Sequence, residues 1–330
     1  MNRRSILSLL VLLLVVVGCG PASTPTPAAT EPAAMEKVVL GMGYIPSVQF
    51  APFYVALDKG YYAAEGLDVE FNFGFEADLM KLVGTDELQF VIGSGDQVIL
   101  ARSQGLPVVY AMQWYRRFPV AVFALKEKGL DSPKKLEGHK VGISMLSGAS
   151  YVAWKALVYA ADIDESKVSL ETIGFTQAAA VSEERVEAAL DYIANGPVQL
   201  RLANKEVDVI EVSDYIDLVS NGIITNDKTA GENPELVQKV VRATLRGLKD
   251  TLDDPDEAFE ICRTYVPDIK EDTVEKNRAI LEASIPLWRA ERLGASDKAA
   301  WETSASFMRE MGLIDKDVSV DELFTNRFLE

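Results

Sequence analysis

Short apolar runs alternate along the chain with segments whose apolar residues recur at helical spacing, and this alternation is the first thing the sequence offers. The runs Lys37–Met42, Gly66–Phe71, Leu88–Ile92, Val108–Met112, Val141–Met145, Val168–Ile173, Val186–Leu190 and Gly222–Asn226 read as strands. Between them, Ala51–Asp58 has helical spacing and is stopped by Lys59-Gly60. Gln97–Gln104 is broken by Gly105-Leu106-Pro107, and Tyr151–Ala160 is a third helix. From Pro234 onward the pattern is helical, with proline and early acids marking helix starts at Pro234-Glu235 and Asp254-Pro255-Asp256-Glu257. Strand alternating with helix predicts an α/β protein with parallel sheets. Val120–Ala124 and Val207–Val212 read as strands crossing between two lobes. The expected division is residues 36–123 with 213–330 as one discontinuous lobe, and 124–212 as the second.

In open parallel sheets, ligands sit beyond the carboxyl ends of the strands, so the loops there are the candidate site. The first is rich in aromatics: Gly43-Tyr44-Ile45-Pro46-Ser47-Val48-Gln49-Phe50. Tyr44, Gln49 and Phe50 are its ligand candidates, whereas Phe53 and Tyr54 fall at helical spacing and suit the core. Gly93-Ser94-Gly95-Asp96 reads as a tight turn at a helix start, which puts backbone N–H groups and the Ser94 hydroxyl beside Tyr44. After Val108–Met112 come Trp114 and Tyr115, a candidate stacking wall, then Arg116-Arg117, read as a solvated pair. From the second lobe, Leu146-Ser147-Gly148-Ala149-Ser150-Tyr151 combines small residues with a helix start. It lacks the P-loop lysine, and no dinucleotide fingerprint is present. Asp191-Tyr192-Ile193-Ala194-Asn195-Gly196-Pro197 closes the series.

The string GYIPSVQFAPFYVALDKGYYAAEGLDVEF, at 43–71, resembles the opening of the thiamine-pyrimidine-precursor-binding group of ABC-importer solute receptors. That group shares its fold with the sulfonate and nitrate receptors and with yeast pyrimidine synthases, and the resemblance runs from about Val38 to Pro255. It implies a type II periplasmic-binding-protein fold: two doubly wound lobes, two crossover strands and a ligand cleft between them. It also implies that the tyrosine and asparagine of the 191–197 segment face the cleft. The family commonly has an acidic residue after that asparagine. Gly196 stands there in this chain, removing an acceptor for a ligand amine.

Composition narrows the classes further. A formal net charge of −17 repels nucleic acid and anionic lipid, and suits a solvated outer face. The chain has two cysteines and one histidine. With Cys262 read as a small buried residue and His139 as a turn residue, neither a zinc site nor a histidine triad can be assembled. At the amino end, Asn2-Arg3-Arg4 precedes an apolar run from Ile6 to Val17, too short to span a bilayer comfortably. Val16-Val17-Gly18-Cys19 resembles a bacterial lipobox, which implies a signal peptide over 1–18 and acylation of Cys19. The Pro-, Thr- and Ala-rich 19–35 segment would then be a flexible tether.

Together these readings describe a lipid-anchored receptor on the extracytoplasmic face of the cell membrane. It is expected to be monomeric, without cofactor, metal or nucleic-acid partner, and to serve an ABC permease and its ATPase. Its ligand residues are Tyr44, Gln49, Phe50, Ser94, Gly95, Asp96, Trp114, Tyr115, Ser147, Gly148, Ser150, Tyr151, Asp191, Tyr192 and Asn195. The ligand is expected to be a flat heteroaromatic vitamin pressed between the lobes. Riboflavin, cargo of the RibY-like branch, is preferred over a formylaminopyrimidine precursor of thiamine, since a tricyclic ring uses more aromatic wall. A pyrimidine-synthase-like enzyme is the rival from another class, but this chain has neither the cysteine-rich motif nor the active-site histidine of those enzymes. A sensor domain is disfavoured by the lack of any helix-turn-helix or kinase segment.

Overall fold

A computed structural model describes residues 34–330, so the leader and all but the end of the tether (1–18 and 19–35) lie outside the described residues. The first strand, β1 (Glu36–Met42), is buried along its second half, as a strand covered by helices on both faces must be. It pairs in parallel with β2 (Leu67–Phe73) and β3 (Phe90–Ser94). With β4 (Val108–Gln113) and β10 (Asn221–Asn226), these form one sheet of order β2-β1-β3-β10-β4. The second sheet is built from β5 (Val120–Leu125), β6 (Lys140–Ile143), β7 (Ser169–Thr172), β8 (Ala188–Tyr192) and β9 (Val207–Glu211), in the order β7-β6-β8-β5-β9.

The sheets are mixed rather than wholly parallel. β10 runs antiparallel to both β3 and β4, and β5 antiparallel to both β8 and β9. These are the strands that arrive from the other lobe. The chain leaves β4 at its carboxyl end, crosses, and must therefore enter β5 from the cleft side and run away from it. The return into β10 follows the same geometry.

This also corrects the lobe boundary. Val120–Leu125 is no crossing strand; it lies within the second sheet, paired on both edges, so the expected division at 123/124 would cut through it. The connections are instead the segments between β4 and β5 and between β9 and β10. Arg117 braces one against the other: its guanidinium meets Glu211 at 2.7 Å and Asp214 at 2.6 Å, and its Nε donates to Ser213 at 2.9 Å.

Helices cover the sheets where the spacing predicts them. Ala51–Asp58 forms the first, closed by Lys59 and the left-handed Gly60 (φ +70°). The carboxyl-terminal third supplies helices Pro234–Asp253, Pro255–Tyr265, Val274–Trp288 and Lys298–Glu310. Their apolar faces bury Trp288, Trp301 and Cys262. Among the described residues, no helix is long and apolar enough to cross a membrane, and no cluster of His, Cys, Asp and Glu is placed to hold a metal ion.

Candidate functional site

Between the carboxyl ends of the two sheets lies a cavity of about 610 Å³. Its first-lobe wall begins just past β1. Tyr44 is half-buried, Gln49 sits in a short 3-10 turn capped by Ser47, and Phe50 follows. Trp114 and Tyr115 leave the end of β4 with both backbone N–H groups donating to Asn221 O at 2.9 Å, which fixes the two rings in the wall. Trp114 stacks on Phe50 (centroids 5.5 Å, 28° between planes) and meets Phe53 edge-on at 5.1 Å. Gln49 Nε2 donates to Tyr115 Oη at 3.3 Å. The wall is therefore a rigid aromatic corner, pre-formed by its own packing.

The second lobe faces it with two strand-end segments. After β6 the chain turns through Ser144–Ser147 into helix Gly148–Ala161. Gly148 has φ +69°, a conformation that any side chain would strain, and Ser147 makes no capping bond to the helix. Ser147, Gly148, Ser150 and Tyr151 all line the cavity, with the amino end of that helix among them. After β8, Asp191, Tyr192 and Asn195 line it too. Asp191 is tied into its own loop: Oδ1 accepts from Tyr192 N (2.7 Å) and Asn195 Nδ2 (3.4 Å), and Oδ2 from Gly196 N (3.0 Å).

The lobes also touch each other across the gap. Tyr192 Oη donates to Asn221 Oδ1 at 3.2 Å, Tyr192 packs edge-on to Tyr115 at 6.1 Å, and Tyr44 packs edge-on to Phe175 at 5.7 Å. The rim around these contacts is apolar. Ile45 and Phe75 from one lobe, and Leu146 and Phe175 from the other, line the cavity yet stand more than half exposed.

Twelve of the expected ligand residues line this cavity: Tyr44, Gln49, Phe50, Trp114, Tyr115, Ser147, Gly148, Ser150, Tyr151, Asp191, Tyr192 and Asn195. Ser94, Gly95 and Asp96 do not. No turn separates β3 from the helix Gly95–Ser103; the strand runs through Ser94 and the helix starts at the next residue. Ser94 is fully buried and Asp96 nearly so, and Gly95 is pressed against Val219 and Trp301. What stands in front of them is Glu76, at the start of helix Glu76–Gly84. Its Oε1 accepts from the Ser94 backbone N and, at 2.8 Å, from Ser94 Oγ.

Glu76 was not legible as a site residue from the pattern of strand ends. Its one signal is local: Gly74 closes β2, and Glu76 and Asp78 then precede the apolar Leu79, Met80 and Val83, an acidic first helical turn directly after a strand. Phe73, Phe75, Phe175, Gln177 and Asn221 are further lining residues beyond the expected set.

Burial governs the ionisation of the site. It pushes the Glu76 carboxyl up to about 7, helped by the neighbouring Asp96 charge and opposed by the Ser94 hydrogen bonds. It raises Asp96 as well, against the pull of Gln97 and Ser94. Asp191 rises to about 6 through burial, with the bonds from Tyr192, Asn195 and Gly196 pulling the other way. Burial, then the charge of Asp191, lifts the Tyr44 phenol to about 12, so Tyr44 serves as a neutral hydroxyl.

Position 196 reads differently in three dimensions. A Cβ there would come within 2.4 Å of the Phe123 ring, so the glycine is needed for packing and its side-chain direction is not the cleft. Its lack of an acid therefore says nothing about ligand amines; the carboxylates that line the cleft are Glu76 and Asp191. Arg117 is occupied at the crossing, and Arg116 lies 4.0 Å from Asp217.

A family model described as "NMT1/THI5 like" matches residues 47–258. The chain belongs to the NMT1/THI5-like family. Among relatives in this family, it is 41% identical over 346 residues to the riboflavin-binding protein RibY of Chloroflexus aurantiacus, covering 100% of this chain and 99% of that one. It is 27% identical to the formylaminopyrimidine-binding protein of Halalkalibacterium halodurans, over 99% of each chain. In three dimensions it resembles the periplasmic aliphatic sulphonate binding protein SsuA of Escherichia coli, with TM-score 0.70, 14% identity, and coverage of 87% of this chain and 91% of that one. The two-sheet fold of this NMT1/THI5-like chain is thus that of the periplasmic solute-binding proteins.

Proposed function

We propose that the protein is an extracytoplasmic receptor that captures riboflavin as cargo and delivers it to the membrane permease of an ABC importer. The observation that carries this reading is the cavity itself, about 610 Å³ lined from both lobes by Tyr44, Trp114, Tyr115, Tyr151 and Tyr192. Pockets of roughly 300–1,000 Å³ suit small organic ligands. A tricyclic ring with a polar side chain engages more of this wall than a single pyrimidine does. Each aromatic contact adds roughly 0.5–1.5 kcal/mol beyond area burial, and micromolar to nanomolar affinity needs about 8–12 kcal/mol in all. Similarity to a protein named for riboflavin binding supports the same cargo.

Acylation at Cys19 would anchor the receptor to the outer face of the cell membrane, with the 19–35 segment as tether. Release to the permease requires only that the lobes part. On this reading the protein acts as a carrier with no cofactor of its own, not as an enzyme.

A formylaminopyrimidine is the second reading. Glu76 gives the cleft a carboxylate acceptor for a ring amine, and a relative carries that ligand's name. Absorbance of the freshly purified full-length chain tests the first choice: riboflavin that co-purifies colours it yellow. If the protein emerges colourless, titration of each compound against tryptophan fluorescence decides, because Trp114 lines the cavity and Trp288 lies 5.7 Å from it. Quenching by the pyrimidine alone would replace the cargo and leave the receptor role standing; quenching by neither would remove both cargoes.

A further inference from the structure

The cavity wall has an unusual charge balance. Among the described residues, two carboxylates line it, Glu76 from the first lobe and Asp191 from the second, and no lysine, arginine or histidine does. The arginines nearest in sequence, Arg116 and Arg117, face Asp217, Glu211 and Asp214 at the crossing.

The two carboxylates differ in what they have left to offer. Both oxygens of Asp191 are taken by its own loop. On Glu76, Oε1 receives both Ser94 donors, whereas Oε2 has no hydrogen-bond partner among the described residues. Behind it, Asp96 is 2% exposed, with Oδ2 held by Gln97 Nε2 at 2.7 Å and Oδ1 without a partner among the described residues. A second acid at the back of the wall deepens the negative potential there. Opposing it are helix amino ends, among them that of Gly148–Ala161, whose first residues line the cavity, and that of Glu76–Gly84, on which Glu76 itself sits, each worth about half a positive charge.

We infer that Glu76 is the residue that reads the cargo, its Oε2 accepting a hydrogen bond from an N–H or O–H of the ring compound, and that with Asp191 it makes the cleft select unphosphorylated cargo over the phosphate monoester. The inference rests on the cavity being the cargo site. A phosphate brought into this cleft would lose its water and meet carboxylates with no cationic side chain to pair with, an arrangement that disfavours the ester. A ring N–H or a hydroxyl meets an acceptor already held in place by Ser94, so little side-chain freedom is lost on binding.

The test is calorimetry on the purified full-length chain at about pH 8.5, above the raised values of both lining carboxyls, with two matched pairs: riboflavin and riboflavin 5′-phosphate, and 4-amino-5-hydroxymethyl-2-methylpyrimidine and its phosphate. In any pair that binds, the parent compound is expected to bind at least tenfold more tightly than its ester. A ratio of less than tenfold overturns the inference while leaving the cavity as the cargo site. Failure of all four compounds, and of the formylaminopyrimidine, to bind overturns that reading, and the inference with it. The variant E76Q keeps the Oε1 acceptor for Ser94 and replaces Oε2 by a donor. It is expected to weaken the parent compound at least threefold and to narrow the parent-to-ester ratio at least threefold. An unchanged ratio in a variant that melts as a folded protein would remove Glu76 from the reading role. The comparison of pairs on the unaltered chain requires no variant and stands even if E76Q does not fold.

Discussion

Glu76 and Asp191 hold their protons to higher pH in the folded chain, at about 7 and about 6, than the ordinary 4.5 and 3.8, because burial penalises their charged forms. Between those ordinary values and the raised ones, the folded state binds more protons than the unfolded state. Their contribution to stability is therefore greatest at low pH and declines as pH rises from about 4 to about 7. E76Q removes one of the two penalties without removing the Ser94 acceptor. Thermal melts should place its melting temperature near or below the parent's at pH 4.5 and above it at pH 8; parallel curves for the two proteins would contradict this. Tyr192 makes a second residue-scale case. Its hydroxyl joins the lobes through Asn221, and a hydrogen bond of this kind is worth about 0.5–1.5 kcal/mol net. Y192F should lower cargo affinity about two- to tenfold with little change in melting temperature. No change in affinity would mean that the contact does not contribute to the closed arrangement.

At the scale of elements, the strand ends are what the sequence made legible and their continuations are what it did not. Apolar runs bounded by glycine and proline are strong local signals, so β1, β4 and the helix Ala51–Asp58 fall where the spacing puts them. Gly93-Ser94-Gly95-Asp96 has turn composition, yet tertiary packing overrode it: Val219 and Trp301 close over Gly95, and strand passes to helix without a turn. Gly196 was misleading for a related reason. A glycine in a sequence does not say which neighbour comes close, and here it is the Phe123 ring of β5, far away in the chain. G196A should cost about 1–3 kcal/mol, the usual range for overpacking a filled site. Denaturant unfolding checks that loss, and cargo affinity of the folded fraction should stay as it was. A loss of affinity at unaltered stability would return position 196 to the cleft.

For the whole molecule, the arrangement that matters is two lobes meeting at an apolar rim over an aromatic interior that carries two carboxylates. Phe175 is 60% exposed and touches Tyr44 across the mouth, so it contributes little to either lobe's core. F175A should change stability by no more than about 0.5 kcal/mol, as surface substitutions do. Cargo dissociation, followed by stopped-flow fluorescence, should nonetheless become several-fold faster, with association little affected. Equal dissociation rates would mean that the rim does not retain the cargo. The crossing segments, braced by Arg117 on Glu211 and Asp214, are where the lobes must pivot if the cleft opens.

From the sequence alone came the α/β class, the strand-end loops and the aromatic residues they carry, because hydrophobic period and turn chemistry are local properties of a chain. The tertiary structure decided which loops converge, that the strands entering each sheet from the other lobe run antiparallel, and that Glu76 rather than the Ser94–Asp96 segment faces the cavity. Those are matters of direction and of which distant side chain fills a space, and neither is encoded in the spacing of residues along one segment.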